Sequence, residues 1–249
     1  MHPRRRGPGD TRRLPCDAVA QRSFPQRDFS RPPEAVEILL VRHGASEAAV
    51  EGRTFEQLEG QADPSLSERG ELQARAVASY LADLPLDALF VTPLCRTAQT
   101  AAPIAAATGL EPIVVPDLRE VHLGELDGGA FRIALHTADP IIPEVFRQER
   151  WDVIPGAERM EDLAARTRAG VEAIVAAVEP GSTVVAVVHG GVIGELCRQA
   201  TASSAFAFVR ADNGSITRLV VLPDGRWWLR SFNELGHLDA LPRDGGHGL

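Results

Sequence analysis

Two apolar runs of strand length each stop on His-Gly, and no other feature restricts the fold of this chain so tightly. The first, Val36-Glu37-Ile38-Leu39-Leu40-Val41, leads into Arg42-His43-Gly44. The second, Thr183–Val188, leads into His189-Gly190-Gly191. Short runs rich in β-branched residues read as strands covered on both faces, as in parallel sheets with helices above and below. Open sheets of that kind hold their ligands outside the carboxyl ends of the strands. A guanidinium fork at that edge suits a phosphoryl group, and a neutral imidazole can attack one. Each histidine taken alone reads equally well as a core residue with a satisfied hydrogen bond. Two buried strands ending the same way favour a shared site.

The intervening text alternates strand and helix from about Ala35. A loop follows the first strand through Gly60. The spacing of Leu72, Ala76, Val77, Tyr80 and Leu81 predicts a helix to about Leu84, with Ser67 as its N-cap. Strands are expected at Ala88–Thr92 and Pro112–Val115. Between them lies a helix over Leu94–Thr108, perturbed at Pro103 and ended by Gly109. Short helices are expected within Leu118–Trp151, then a long helix over Ala157–Val178 and another over about Gly191–Ala200. Ser215–Leu222 and Arg226–Phe232 read as a hairpin turning at Asp224-Gly225, with one of Trp227 and Trp228 buried and the other partly exposed. The fold class is α/β: a doubly wound, mostly parallel central sheet with helices on both faces.

Composition removes several function classes. All 26 basic residues are arginine, so no lysine Schiff base or P-loop lysine can form. The three cysteines, Cys16, Cys95 and Cys197, make no CxxC pair, which argues against a zinc site or disulfide framework and fits a reducing, cytoplasmic setting. No apolar run approaches the ~20 residues of a membrane span. The first 33 residues carry eight Arg and three Asp, whereas the whole chain has a net charge of −8. Residues 1–34 therefore read as a disordered Arg/Pro-rich tail, 35–240 as one domain and 241–249 as a C-terminal tail. An acidic body argues against nucleic acid as partner. Nothing calls for a flavin, a nucleotide or a metal. A small anionic metabolite must then be captured by a local cationic pocket, and a homodimer is compatible with the chain.

Two further segments carry chemistry. In Thr92-Pro93-Leu94-Cys95-Arg96-Thr97, Arg96 falls in the first turn of a helix, beside unpaired N–H groups that favour an anion. The loop Leu118–Gly128 offers Glu120, Glu125 and Asp127 near the same sheet edge, and any of the three carboxyls could protonate a leaving alkoxide.

Taken in order, these segments resemble the histidine phosphatase superfamily, which contains the cofactor-dependent phosphoglycerate mutases and many phosphomonoesterases. The resemblance runs from about Val36 to Phe232. It rests on Arg42-His43-Gly44, Leu66-Ser67-Glu68-Arg69-Gly70-Glu71-Leu72-Gln73-Ala74, Pro93–Ala101, Leu118–Gly124 and His189-Gly190-Gly191, with Asn213-Gly214-Ser215-Ile216 near the end. It implies a phosphoglycerate mutase-like fold and a metal-independent phosphomonoesterase that works through a phosphohistidine. It implies His43 as nucleophile, with Arg42, Arg96 and His189 holding the phosphoryl oxygens. It implies Glu120 as proton donor, because this residue matches the L-x-E position. Ser46 and the Gly190 N–H are implied as further phosphate contacts. The neutral form of His43 should be favoured by the nearby arginines, and one ring N–H should find a backbone carbonyl.

Alternative readings are a cofactor-dependent phosphoglycerate mutase and a non-catalytic phospho-ligand-binding protein. Against the mutase, Ala45 and Ala49 replace residues usual there. The span from Glu120 to His189 is also short, and Arg132, Arg147, Arg150 and Arg159 do not match the expected basic pair. The stretches Glu51–Glu59 and Phe131–Trp151 should cap the pocket, and Glu158 reads as a helix-start residue.

Overall fold

The computed structural model describes residues 25–241. The expected disordered tail lies, over residues 1–24, outside the described residues, as does the C-terminal stretch 242–249. Residues 25–30 carry no helix or strand. One compact unit begins at Arg31, a few residues before the boundary expected at 35. The Arg31 guanidinium donates to the Ser182 carbonyl and the Thr183 hydroxyl, both at 2.9 Å.

The elements follow in the order β1 (Val36–Arg42), β2 (Gln57–Leu58), β3 (Gln61–Ala62), α1 (Glu68–Leu81), β4 (Ala88–Val91), α2 (Cys95–Thr108) and β5 (Pro112–Val114). Then come α3 (Ala130–Thr137), α4 (Ile141–Gln148), α5 (Met160–Ala176), β6 (Thr183–Val188), α6 (Gly190–Thr201), β7 (Ile216–Val221) and β8 (Trp227–Glu234). The main sheet has the strand order β5-β4-β6-β1-β7-β8. Its pairings are parallel from β5 through β1 and antiparallel at β1–β7 and β7–β8.

Alternation along the central strands builds a core on each face. Ile38 and Leu40 of β1, with Val184 and Ala186 of β6, pack against Val171 and Ile174 of α5 and Val192 and Leu196 of α6. Leu39, Val41, Val185 and Val187 point the other way, onto Val77 and Leu81 of α1 and Ala101 and Ile104 of α2. That double covering is why both runs read as continuous apolar text. A separate cluster around Val121, Val145, Trp151, Ile154 and Leu163 lies beneath the capping segments.

Local chemistry sets most boundaries. The Ser67 side chain caps α1 by accepting from the Gly70 N–H. In α2 no side chain of the cap residue does this; instead Asp63 Oδ1 accepts from the Cys95 N–H at 2.7 Å. Trp227 is buried and Trp228 is partly exposed, as expected.

Two elements depart from expectation. The long helix starts at Met160, because Ala157 is taken into a bridge with Leu123. The β2–β3 hairpin occupies text read as loop, since two-residue strands of mostly polar residues leave no periodicity to detect.

Candidate active site

Strand register brings the two histidines together. Arg42 of β1 stands opposite Val188 of β6 in a parallel pairing, so the next residues, His43 and His189, are neighbours. Their ring centroids are 5.1 Å apart. On the far side of β6, Val91 pairs with Val187, and the following Thr92 places its hydroxyl 2.9 Å from His189 Nε2.

The loop after β1 is held by backbone packing. A Cβ on Gly70 would lie 2.0 Å from the Ala45 carbonyl oxygen, so helix α1 and this loop meet backbone to backbone. The Asn213 amide donates to the His43 carbonyl at 2.9 Å, and the Thr100 hydroxyl accepts from the Gly44 N–H at 3.0 Å. His43 Nδ1 lies 2.8 Å from the Gly44 carbonyl, which fixes the proton on Nδ1 and leaves Nε2 unprotonated. Arg96 Nε donates weakly to the Nε2 lone pair at 3.3 Å. Arg96 is itself anchored by the Ala62 carbonyl at 2.8 Å and by Asp63 at 3.7 Å.

Burial dominates the electrostatics. His43 is 4% exposed and His189 is fully buried. Burial holds both imidazoles well below the ordinary histidine range, and the positive charges of Arg96 and Arg42 push the same way. Each ring therefore stays neutral in the folded chain where an unfolded one is protonated. Protons then favour unfolding below about pH 6.5. Stability is expected to fall between pH 6.5 and 5.5 by up to about 1.4 kcal/mol per pH unit for each histidine. Urea midpoints across that interval check this. A His43→Gln variant should lose part of the slope, and equal slopes in the two proteins would refute the account.

Three carboxylates competed for the acid role, and their surroundings separate them. Asp127 is consumed by structure: Oδ1 accepts from the Ala62 and Gly128 N–H groups and Oδ2 from that of Leu123. Glu125 is exposed. Glu120 faces the arginines, with Oε1 accepting from the N–H groups of Val121 at 3.0 Å and Gly191 at 3.1 Å. A Cβ on Gly191 would come within 2.6 Å of that oxygen, so the second glycine after His189 makes room for the Glu120 carboxylate.

His43, His189, Arg42, Arg96 and Glu120 thus share one place, and a cavity of about 270 Å³ opens onto all of them but the deeply buried His189. Two buried nitrogens there, Arg42 Nε and His189 Nδ1, have no protein partner. Such groups belong against a ligand able to pair with them, and a phosphoryl group offers the oxygens. Gly190 lines the cavity, and a Cβ on it would stand 3.3 Å from the Arg42 guanidinium carbon. The Ser46 hydroxyl accepts from Arg132 Nη2 at 2.7 Å, which ties it to the site through that arginine.

Sequence reading did not single out Arg132, Gln61 or Arg166. Arg132 reaches the cavity from α3, and burial followed by repulsion from Arg96 and Arg42 lowers its pKa. Gln61 donates to the Glu120 carbonyl at 2.5 Å. Arg166 binds Glu158 at 2.6 Å and donates to the carbonyls of Asp117, Arg119 and Glu120. Glu158 therefore does more than start a helix: with Arg166 it steadies the loop that carries Glu120. No local spacing signals these contacts: most join segments far apart in the chain, and Glu158 and Arg166, eight residues apart, fall outside the three- or four-residue spacing of a helical pair.

The chain is similar to known proteins. The profile of the histidine phosphatase superfamily (branch 1) matches residues 38–235. A metal-independent phosphoserine phosphatase of Arabidopsis thaliana is 32% identical over 228 residues, spanning 89% of this chain and 92% of the relative. A probable phosphoglycerate mutase of Photorhabdus laumondii is 32% identical over 216 residues, spanning 84% and 98%. The solved structure of a mycobacterial glucosyl-3-phosphoglycerate phosphatase superposes with a TM-score of 0.65 at 29% identity, covering 80% of this chain and 99% of that one.

Proposed function

The chain belongs to branch 1 of the histidine phosphatase superfamily, and from that premise we propose how it acts: as a phosphomonoesterase that hydrolyses small phosphate esters through a phosphohistidine, without a metal. The observation that carries this reading is the Nδ1 hydrogen bond from His43 to the Gly44 carbonyl, which leaves Nε2 as an unprotonated nucleophile facing the cavity. His43 Nε2 attacks phosphorus as the ester P–O bond breaks. Glu120 gives its proton to the leaving alkoxide. Water then attacks phosphorus and releases the P–N bond, with Glu120 taking the water proton. Arg42 and Arg96 neutralise the equatorial oxygens, which is the main requirement of phosphoryl transfer, and the neutral His189 holds an oxygen by a hydrogen bond from Nδ1. Two guanidiniums supply this charge directly. Ser46 contributes by holding Arg132.

Ala45 and Ala49 support hydrolysis over isomerisation, since neither offers a polar group to rebind a product in a second orientation. The partner is a small phosphorylated metabolite, met in the cytoplasm. Among the described residues no helix is long and apolar enough to cross a membrane.

The test is phosphate release from a panel of phosphomonoesters in EDTA, beside isomerisation of 3-phosphoglycerate. Release that survives EDTA is the expected result. Isomerisation without release would make the protein a mutase, and release that EDTA abolishes would refute metal independence.

A further inference from the structure

We propose that the leaving group selected by this site is apolar and ring-bearing, as in an aryl or aralkyl phosphomonoester, and not a polyhydroxylated sugar. The proposal rests on the phosphomonoesterase reading and deepens it. The cavity has two halves. Its floor is the cluster around His43. Its wall is formed by Phe55, Leu126, Phe131, Leu135, Trp151 and Val209.

The few polar side chains outside the floor are largely engaged. Both Asp127 oxygens accept backbone N–H groups, and the Gln61 amide nitrogen donates to the Glu120 carbonyl. Arg132 donates to the Ser46 hydroxyl and the Glu47 carbonyl, and its guanidinium lies 5.7 Å from the centre of the Phe55 ring. One buried acceptor, Gln61 Oε1, is left without a partner. A sugar would desolvate several hydroxyls against this wall and find only Gln61 Oε1 and the remaining Arg132 N–H groups for them. So few polar partners recover little of that cost, whereas an apolar ring loses nothing by entering.

The wall is also built in advance. Trp151 packs tilted on Phe206, with ring centroids 4.7 Å apart, and Phe131 meets it edge-on at 5.7 Å. Val145, Ile154 and Leu163 back this group from below. Phe131 and Leu135 stand one turn apart on α3, so one helix face supplies two positions of the wall. Leu135 is 40% exposed at the rim, where a ring bound in the cavity would cover it. The volume of about 270 Å³ suits a group of one or two rings.

Esters of primary alcohols test this without bias from leaving-group reactivity: 2-phenylethyl phosphate, ethyl phosphate, glucose 6-phosphate and phosphoserine. The expected kcat/KM for 2-phenylethyl phosphate is at least about tenfold above those for glucose 6-phosphate and phosphoserine. In Leu135→Asn, a rim change that leaves the core intact, the ratio of 2-phenylethyl to ethyl phosphate should fall about fivefold, mainly through KM. Faster turnover of glucose 6-phosphate or phosphoserine would overturn the selection while leaving the phosphomonoesterase reading in place. An unchanged ratio in Leu135→Asn would do the same. Release from none of the four esters would overturn both.

Discussion

Replacing His43 with alanine is expected to lower phosphate release from every phosphomonoester by about three to five orders of magnitude. The loss should fall on kcat, because Arg42 and Arg96 remain to bind the phosphoryl group. Stability should suffer less than activity. The side chain contributes one ring nitrogen to the Gly44 carbonyl, and the bonds that hold the loop, from the His43 N–H to the Val188 carbonyl and from the Asn213 side-chain amide to the His43 carbonyl, persist. The same residue should carry the covalent intermediate. Wild-type protein quenched during turnover of a radiolabelled ester should hold label that is stable in alkali and lost in acid, as a phosphorus–nitrogen bond is. Label that survives acid, or turnover retained in His43→Ala, would remove His43 from the nucleophile's role.

The second large effect is expected from Glu120→Gln. The amide is nearly the same shape and can still accept from the Val121 and Gly191 N–H groups through its oxygen. What it cannot do is give up a proton to a leaving alkoxide. Turnover of alkyl esters should drop by about two to four orders of magnitude. For p-nitrophenyl phosphate, whose phenolate leaves without help, the first step should be nearly unaffected. Label on His43 should then accumulate, because the missing base slows attack by water. Equal losses in the first step, read as the burst of nitrophenolate or alcohol, would point to misplacement of the loop and not to a lost proton. Glu125→Gln provides the control, since that side chain is exposed and takes no part in the cluster.

Much of the fold was legible because its signals are local. The runs at Val36 and Thr183 carry β-branched residues to a sharp stop, and Ser67, Gly109 and Asp224-Gly225 mark turns and caps by their own chemistry. The histidines and Arg96 were legible for the same reason, each being the first residue of a distinctive kind after a strand or at a helix start. The hairpin at Gln57–Ala62 was not, since its two-residue strands have no period. Nor was the true start of α5, which depends on Leu123 pairing with Ala157 across a distant loop.

On residue types alone Glu120, Glu125 and Asp127 were equivalent; family resemblance chose Glu120, and its physical reason appeared only in three dimensions. Asp127 is spent on three backbone N–H groups, and Gly191 leaves a gap that the Glu120 carboxylate enters. Arg132 and the Glu158–Arg166 pair likewise acquire meaning only through their neighbours. The sequence by itself determined where the central strands end, where α1, α2 and α6 begin, and which imidazoles and guanidiniums stand at those ends, because such choices depend on a few adjacent residues. The insertion of β6 between β4 and β1 was decided by the tertiary structure alone, as were the neighbours of His43 and the sharing of hydrogen bonds among the carboxylates. Those outcomes depend on packing between segments fifty or more residues apart, and no local pattern encodes which partner wins.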